Sequence, residues 1–232
     1  MTRKESIRQE WLDRLNKQST IPVLWGKAAE NLRKLQPYRD ASTVFASPDA
    51  SLLQARINCL MDGKNLLMPG PSLRNGFYLL KTRTIPIPEL STAVTYKGLD
   101  KSGQLLSNDE IKKLSIDLLL TDAVAVDRQG TRLGDAKGFV DLSFGILSEL
   151  GAIQPDATIL AVVSEDQITD ITLPREKWDV KMNGAVTPVG LVEFDINQVE
   201  GKIYWEALPK ERIKKISPLW KLSQQQNIRL KK

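Results

Sequence analysis

The sequence predicts an α/β fold of three layers, a mostly parallel sheet with helices on both faces. Three observations carry that expectation. The apolar runs at 66–68, 116–126 and 158–163 are continuous rather than alternating, as strands buried on both faces should be. They alternate with amphipathic runs of helical period, which is the order of βαβ units. No internal repeat, heptad run or low-complexity segment points to a solenoid or a coiled coil instead.

Taken in order, Ile7, Trp11, Leu12 and Leu15 recur at helical spacing over 5–17, leaving Lys4 and Arg8 one turn apart on a shared face. Two such cations can grip one phosphate group or stand as an ordinary solvated face. A second helix is expected over 27–35 and a short strand over 42–47. Pro48 and Asp49 then start a helix with Leu52, Leu53, Ile57, Leu60 and Met61 on its apolar side and Gly63 as its C-cap. Strand 66–68 completes the first βαβ unit. Beyond the proline-rich connection at 85–88 the chain is expected to be irregular as far as Leu106, where Ser107 and Glu110 have capping-box spacing for a short helix. Asp122 interrupts the longest apolar run, so one strand should end near Leu120 and a second short one should precede a turn at 127–130.

Residues Gly130-Thr131-Arg132-Leu133-Gly134-Asp135-Ala136-Lys137-Gly138-Phe139-Val140-Asp141 join that apolar run to an amphipathic one. A strand, a glycine-containing loop and a helix start leave backbone N–H groups unpaired at the positive end of a helix, and Arg132 and Lys137 add two full charges. The loop suits phosphate, although a plain connecting turn has the same look. It matches neither the P-loop nor the dinucleotide fingerprint. Asp141, one turn into the helix, can hold a phosphate-bound Mg²⁺ or simply favour the helix N-terminus. That helix should bury Phe139, Leu142, Ile146, Leu147 and Leu150 and end at Gly151. Strands are expected at 158–163, 186–193 and 203–205, then a helix at 209–216 with Trp220 packed after it. The organisation is one α/β domain over 1–200 and a C-terminal extension over 201–232, whose end Arg229-Leu230-Lys231-Lys232 reads as a frayed basic tail.

Composition narrows the chemistry. The chain has no histidine, which removes every Ser-His-Asp or Cys-His arrangement and every histidine metal site. Catalysis, if any, must run on carboxylates, Lys, Arg, backbone N–H and a bound cation, a set that favours positioning and electrostatics. With 33 basic and 28 acidic residues the net charge is +5, which suits an anionic ligand but is too dispersed for nucleic acid. Its one cysteine, Cys59, excludes an internal disulfide and fits a helix core position in a reducing compartment. No apolar run approaches the roughly 20 residues of a membrane span, so a cytoplasmic protein is expected.

Lys4 and Arg8, Asp117, Gly130-x-Arg132-Leu133-Gly134-x-x-Lys137-Gly138-Phe139-x-Asp141, Leu173-Pro174, Asp179 and Thr187-Pro188 together resemble the 5-formyltetrahydrofolate cyclo-ligase family. Trp11, Pro48-Asp49 with Arg56, Asp141-Leu142, Ile203-x-Trp205, Ile213 and Pro218-Leu219 resemble its divergent methenyltetrahydrofolate synthase domain-containing branch more closely. The resemblance implies a Rossmann-like fold shared with sugar-phosphate isomerases and CoA transferases. It also implies conversion of 5-formyltetrahydrofolate to 5,10-methenyltetrahydrofolate, with ATP and Mg²⁺ as cofactors and a reduced folate as the small-molecule substrate. By that analogy Lys4, Arg132 and Lys137 are the catalytic cations; Lys4, Arg8, Arg132, Gly134, Asp135, Ala136, Lys137, Gly138 and Phe139 hold ATP; Arg56 serves the substrate and Asp141 the metal.

The chain departs from the pattern at several of these positions. Ala136 stands where the family loop has glycine, Asp135 puts a negative charge among phosphate donors, Ser51-Leu52 replaces residues that help hold the folate, and Trp178 replaces a histidine. These departures leave two other readings: a ligand-binding homologue without turnover, and an ATP-dependent enzyme on another heterocycle, as in thiamine-related salvage.

Overall fold

The computed structural model describes residues 2–17, 22–196 and 201–228. The order is α1 (Arg3–Lys17), α2 (Pro22–Lys34), α3 (Gln36–Asp40), β1 (Thr43–Ala46), α4 (Leu53–Met61), β2 (Asn65–Pro69), β3 (Phe77–Leu80), α5 (Leu90–Ala93), α6 (Tyr96–Ser102), β4 (Gln104–Leu105), α7 (Asn108–Ile111), β5 (Ile116–Thr121), β6 (Ala125–Asp127), β7 (Arg132–Leu133), α8 (Phe139–Glu149), β8 (Ile153–Val162), β9 (Ile168–Thr169), β10 (Gly184–Val186), β11 (Leu191–Glu193), α9 (Lys210–Lys215) and α10 (Ser217–Gln225).

Eight strands form one sheet in the order β11-β10-β8-β5-β1-β2-β3-β4. The central pairings β10·β8, β8·β5, β5·β1 and β1·β2 are parallel, and antiparallel strands close both edges. Period-two alternation divides the strand residues between two cores. Phe45, Leu67, Leu119 and Ile159 face α8, α9 and α10. Val44, Ala46, Leu66, Leu118 and Leu120 face α2 to α6. That is why the central strands read as unbroken apolar runs. Cys59 lies in the second core, and burial pushes its thiol up to about 12, so it is inert packing. Among the described residues no helix is long and apolar enough to cross a membrane.

A second, three-stranded sheet, β7-β6-β9, branches from the main one after Asp122. Helix α1 packs Trp11, with Ile7, Leu12 and Leu15, against Ala125 and Leu133 of this small sheet and against Val124 and Leu173 next to it in the chain. Its polar side, carrying Lys4 and Arg8, is thereby delivered to the loop that follows β7.

Several expectations change. The stretch before Leu106 is not irregular: it holds α5, α6 and β4, short elements whose apolar residues face a neighbour rather than repeating along a long run. β3 was also absent from the expected set. The single strand over 186–193 is a hairpin, because Pro188 and Gly190 turn the chain and the Thr187 N–H donates to the Gly190 carbonyl at 2.8 Å. Residues 203–205 make no strand; Ile203 enters the core and a 3₁₀ turn starts at Trp205. Asp49 caps a 3₁₀ turn, Ala50–Leu52, that precedes α4. Trp220 lies within α10, and the basic tail 229–232 lies outside the described residues.

Candidate functional site

Parallel strands bring their C-terminal ends to one edge, and ligands of open α/β sheets bind in the crevice there. Here β1 delivers Ser47 and Asp49, β2 delivers Gly70 to Ser72, and β5 delivers Asp122 to a cavity of about 680 Å³. The β7–α8 loop supplies the opposite wall.

Arg132, at the start of that loop, is 6% exposed. Its Nη2 donates to Asp141 Oδ2 at 3.0 Å and its Nη1 to the Asp122 carbonyl at 3.3 Å, while Nε is buried and has no protein acceptor among the described residues. Burial opposes the guanidinium charge, but Asp141, Asp122, Asp179 and Asp135 together hold its pKa above the ordinary value. A Cβ on Gly134 would come within 2.7 Å of Arg132 Nη1, so glycine there makes room for the guanidinium.

Beyond it, Ala136 (φ 72°) and Gly138 (φ 63°) are both left-handed. Left-handed residues in a loop are the backbone pattern from which anion-binding nests are built. The Asp135 carboxylate accepts the Lys137 N–H at 3.0 Å and Lys137 Nζ at 2.7 Å. Burial pushes Asp135 up, yet the Lys137 contacts more than offset that and its carboxyl lies below the usual range. The contact to Asp135 raises Lys137 in turn.

The remaining cations reach the same cavity from other elements. Lys4 pairs with Asp179 and Arg8 Nε donates to the Gly134 carbonyl at 2.7 Å. Arg212 of α9 donates to the Lys137 carbonyl at 2.5 Å and lies over the Phe139 ring at 5.3 Å.

Lys4, Arg8, Arg132, Gly134, Asp135, Ala136, Lys137, Gly138, Phe139 and Asp141 all border the cavity. Arg56 does not. It is 1% exposed, and its Nε and Nη1 donate to the carbonyls of Val94, Ser47 and Asp49. Direct contact of Arg56 with a substrate is therefore replaced by a positioning role, holding the turn that carries Asp49. Sequence reasoning did not assign Asp49, Asp122, Tyr96 or Arg212, which also border the cavity. The signal for Asp122 was present, a lone carboxylate at the end of a buried parallel strand; Arg212 arrives through tertiary packing alone.

The donor set fits a polyphosphate through the long cationic side chains Lys4, Arg8, Lys137 and Arg212 that border the cavity with the loop 134–138. For a divalent cation the fit is narrower. Both Asp141 oxygens already accept bonds, from Arg132 and from the Val180 N–H at 3.0 Å, and no three acidic or sulfur ligands gather among the described residues. A cation would have to be held largely by phosphate oxygens, the usual habit of Mg²⁺.

Comparison with known proteins agrees with this architecture. A family model described as the 5-formyltetrahydrofolate cyclo-ligase family matches residues 1–188. A methenyltetrahydrofolate synthase domain-containing protein of Bos taurus is 26% identical over 240 residues, covering 96% of this chain and 62% of that protein. The chain spans 50–62% of the lengths of the vertebrate relatives of that name. A 5-formyltetrahydrofolate cyclo-ligase of Mycolicibacterium smegmatis is 39% identical over 72 residues, 31% of this chain and 34% of that one. In three dimensions the chain is similar to the 5,10-methenyltetrahydrofolate synthetase of Aquifex aeolicus, with TM-score 0.60, 19% identity and coverage of 89% of this chain and 100% of that one.

Proposed function

The chain belongs to the 5-formyltetrahydrofolate cyclo-ligase family, and from that membership we propose that it closes 5-formyltetrahydrofolate to 5,10-methenyltetrahydrofolate with ATP and Mg²⁺. The observation that carries the proposal is the convergence of Lys4, Arg8, Arg132, Lys137 and Arg212, from α1, β7, the loop after it and α9, on one cavity, with Arg132 locked by Asp141. ATP supplies the phosphoryl group that makes the formyl oxygen a leaving group, after which N10 closes the ring and phosphate departs.

The chain's own residues place and neutralise charged oxygens, work that needs no histidine. Arg132 offers a charge that does not deprotonate, in an orientation set by Asp141. Lys4, Arg8 and Lys137 close around the phosphates, with the N–H groups of 134–138 beneath them. Asp141 keeps lone pairs on both oxygens for a phosphate-bound Mg²⁺.

A second reading is binding without turnover, and the Asp135–Lys137 contact favours it, since it engages donors that a phosphate would use. One assay separates the two. Absorbance of 5,10-methenyltetrahydrofolate is followed with 5-formyltetrahydrofolate, MgATP and a control without ATP. An ATP-dependent rise that Lys137→Ala reduces and Arg132→Ala abolishes is expected; no rise from protein that binds MgATP rules out this reaction and leaves the binding role or an ATP-dependent reaction on another heterocycle.

A further inference from the structure

Five of the cationic side chains that border the cavity fall into two kinds. Lys4, Arg132 and Lys137 each pair with a carboxylate, on Asp179, Asp141 and Asp135 respectively. Arg8 and Arg212 hold backbone instead. Arg8 Nε donates to the Gly134 carbonyl at 2.7 Å, and Arg212 Nη2 donates to the Lys137 carbonyl at 2.5 Å. These carbonyls stand towards either end of the loop 134–138, and the arginines that take them come from α1 and α9, far apart in the chain.

A trans peptide is planar, with its C=O and N–H pointing in opposite directions. Turning the Gly134 and Lys137 carbonyls onto the arginines therefore turns the N–H groups of Asp135 and Gly138 away from them. Neither N–H has a protein acceptor among the described residues. Rotated by half a turn, the Lys137–Gly138 peptide would face the same space with carbonyl oxygen, which repels an anion where an N–H attracts it. Gly138, left-handed at φ 63°, lets this peptide rotate at small steric cost. A contact from outside the loop is what fixes it.

Packing remote from the loop delivers that contact. In the extension Ile203, Ile213 and Ile216 are buried in the core that faces α8. Gly201 lets the chain pass close over α8, since a Cβ there would fall 2.0 Å from the Phe144 ring. Glu149, at the far end of α8, accepts from the Ile203 N–H at 3.3 Å and from Gln226 Nε2 at 2.9 Å. At the near end Arg212 meets Lys137, lies 3.7 Å from the Cβ position of Gly138 and sits over the Phe139 ring.

We propose that Arg212 is a positioning residue of the 134–138 loop, holding the Lys137–Gly138 peptide with its N–H rather than its carbonyl towards the ligand. Arg8 does the same for the Gly134–Asp135 peptide. Arg212 lies beyond residues 1–188, the span of the family match, so the contact that sets the loop comes from a segment outside that match. The inference rests on the reading of the loop as a phosphate site and adds what keeps the loop in shape.

The test compares two uncharged replacements of similar length in the full chain. Arg212→Gln keeps an N–H for the Lys137 carbonyl, and Arg212→Met keeps none. MgATP binding is measured by calorimetry, and the Gly138 amide is followed by heteronuclear NMR at saturating MgATP. Arg212→Met should weaken MgATP about tenfold and Arg212→Gln by less than about threefold. The Gly138 amide resonance should move on MgATP addition in wild type and Arg212→Gln and stay in place in Arg212→Met. Arg212→Ala, smaller but equally without a donor, serves if Arg212→Met does not fold. Equal weakening by Gln and Met overturns the proposal, because charge alone would then matter. Unchanged affinity in Arg212→Met overturns it too, as does a Gly138 amide that responds alike in all three proteins. A wild type that binds no MgATP overturns the phosphate reading together with this one, whereas a wild type that binds MgATP without the Gln–Met difference overturns the positioning role alone.

Discussion

Arg56 and Arg132 are both buried arginines, both come from stretches the sequence marks for function, and they hold the carbonyls that follow β1 and β5 respectively. Arg56 places Nε and Nη1 on three backbone carbonyls and no carboxylate. Burial accordingly pulls it down to about 10, although nearby Asp49 resists the shift. Arg132 has a carboxylate partner, four acidic neighbours that raise its pKa, and a buried Nε without a protein acceptor among the described residues. The difference teaches how a structural arginine is told from the one proposed to hold ligand. The first has its donors matched to backbone carbonyls alone; the second is held by a carboxylate and one carbonyl and keeps Nε unmatched.

The sharpest way to break this comparison is Arg56→Met. Three carbonyls lose their donors in a buried site, and methionine fills only part of the volume. We expect a loss of about 3–4 kcal/mol in denaturant unfolding, with no change in MgATP affinity of the protein that remains folded. A loss below about 1 kcal/mol would show that the three contacts are dispensable. Arg132→Lys probes the other side. It keeps a charge for Asp141 but removes the planar fork, and MgATP affinity should fall by ~2 kcal/mol while stability falls less than in Arg56→Met. Equal affinities for wild type and Arg132→Lys would end the ligand-holding assignment.

What the sequence revealed of these two residues shows where its reach ends. The central strands were legible because burial on both faces makes an unbroken apolar run, and α8 because Gly151 closes its amphipathic period. The loop 134–138 was legible through its charges and glycines. Arg56 was not, because its fate depends on where the carbonyls of Ser47, Asp49 and Val94 arrive, and those come from three separate segments. Arg212 was hidden for the same reason: no local pattern says that α9 folds back onto Phe139. The edge strands β4 and β11 were missed or merged because short exposed strands lack the continuous apolar signature, whereas β3, Phe77–Leu80, carries that signature and was passed over.

Asp122 gives a smaller effect, and one that depends on pH. Its folded pKa lies above the ordinary value through burial, opposed by Arg132 and reinforced by Asp49. The folded state therefore holds the proton more tightly than the unfolded chain. Its stabilising contribution is full below the unfolded pKa and is lost as pH rises through the folded one. Ionised Asp122 is thus a burden at neutral pH. Asp122→Asn should raise stability by on the order of 1 kcal/mol at pH 7, with the gain shrinking in acid. A gain that is the same at pH 4 and pH 7 would show that ionisation is not its source.

The smallest expected effect tests the loop itself. Ala136 sits at φ 72° and is exposed, so no tertiary contact of its side chain explains the left-handed backbone. An L-residue there costs roughly 1–2 kcal/mol, which Gly would relieve. Against this, glycine frees the unfolded chain by about 0.4–1 kcal/mol. The two terms nearly cancel, so Ala136→Gly should be neutral to about 1 kcal/mol stabilising, whereas the β-branched Ala136→Val should be clearly destabilising. If Ala136→Gly instead destabilises by more than about 1 kcal/mol, the free loop does not hold Ala136 in the left-handed region. The nest that distinguishes the Arg132 side of the cavity from the Arg56 side would then have to be formed by the ligand rather than offered to it.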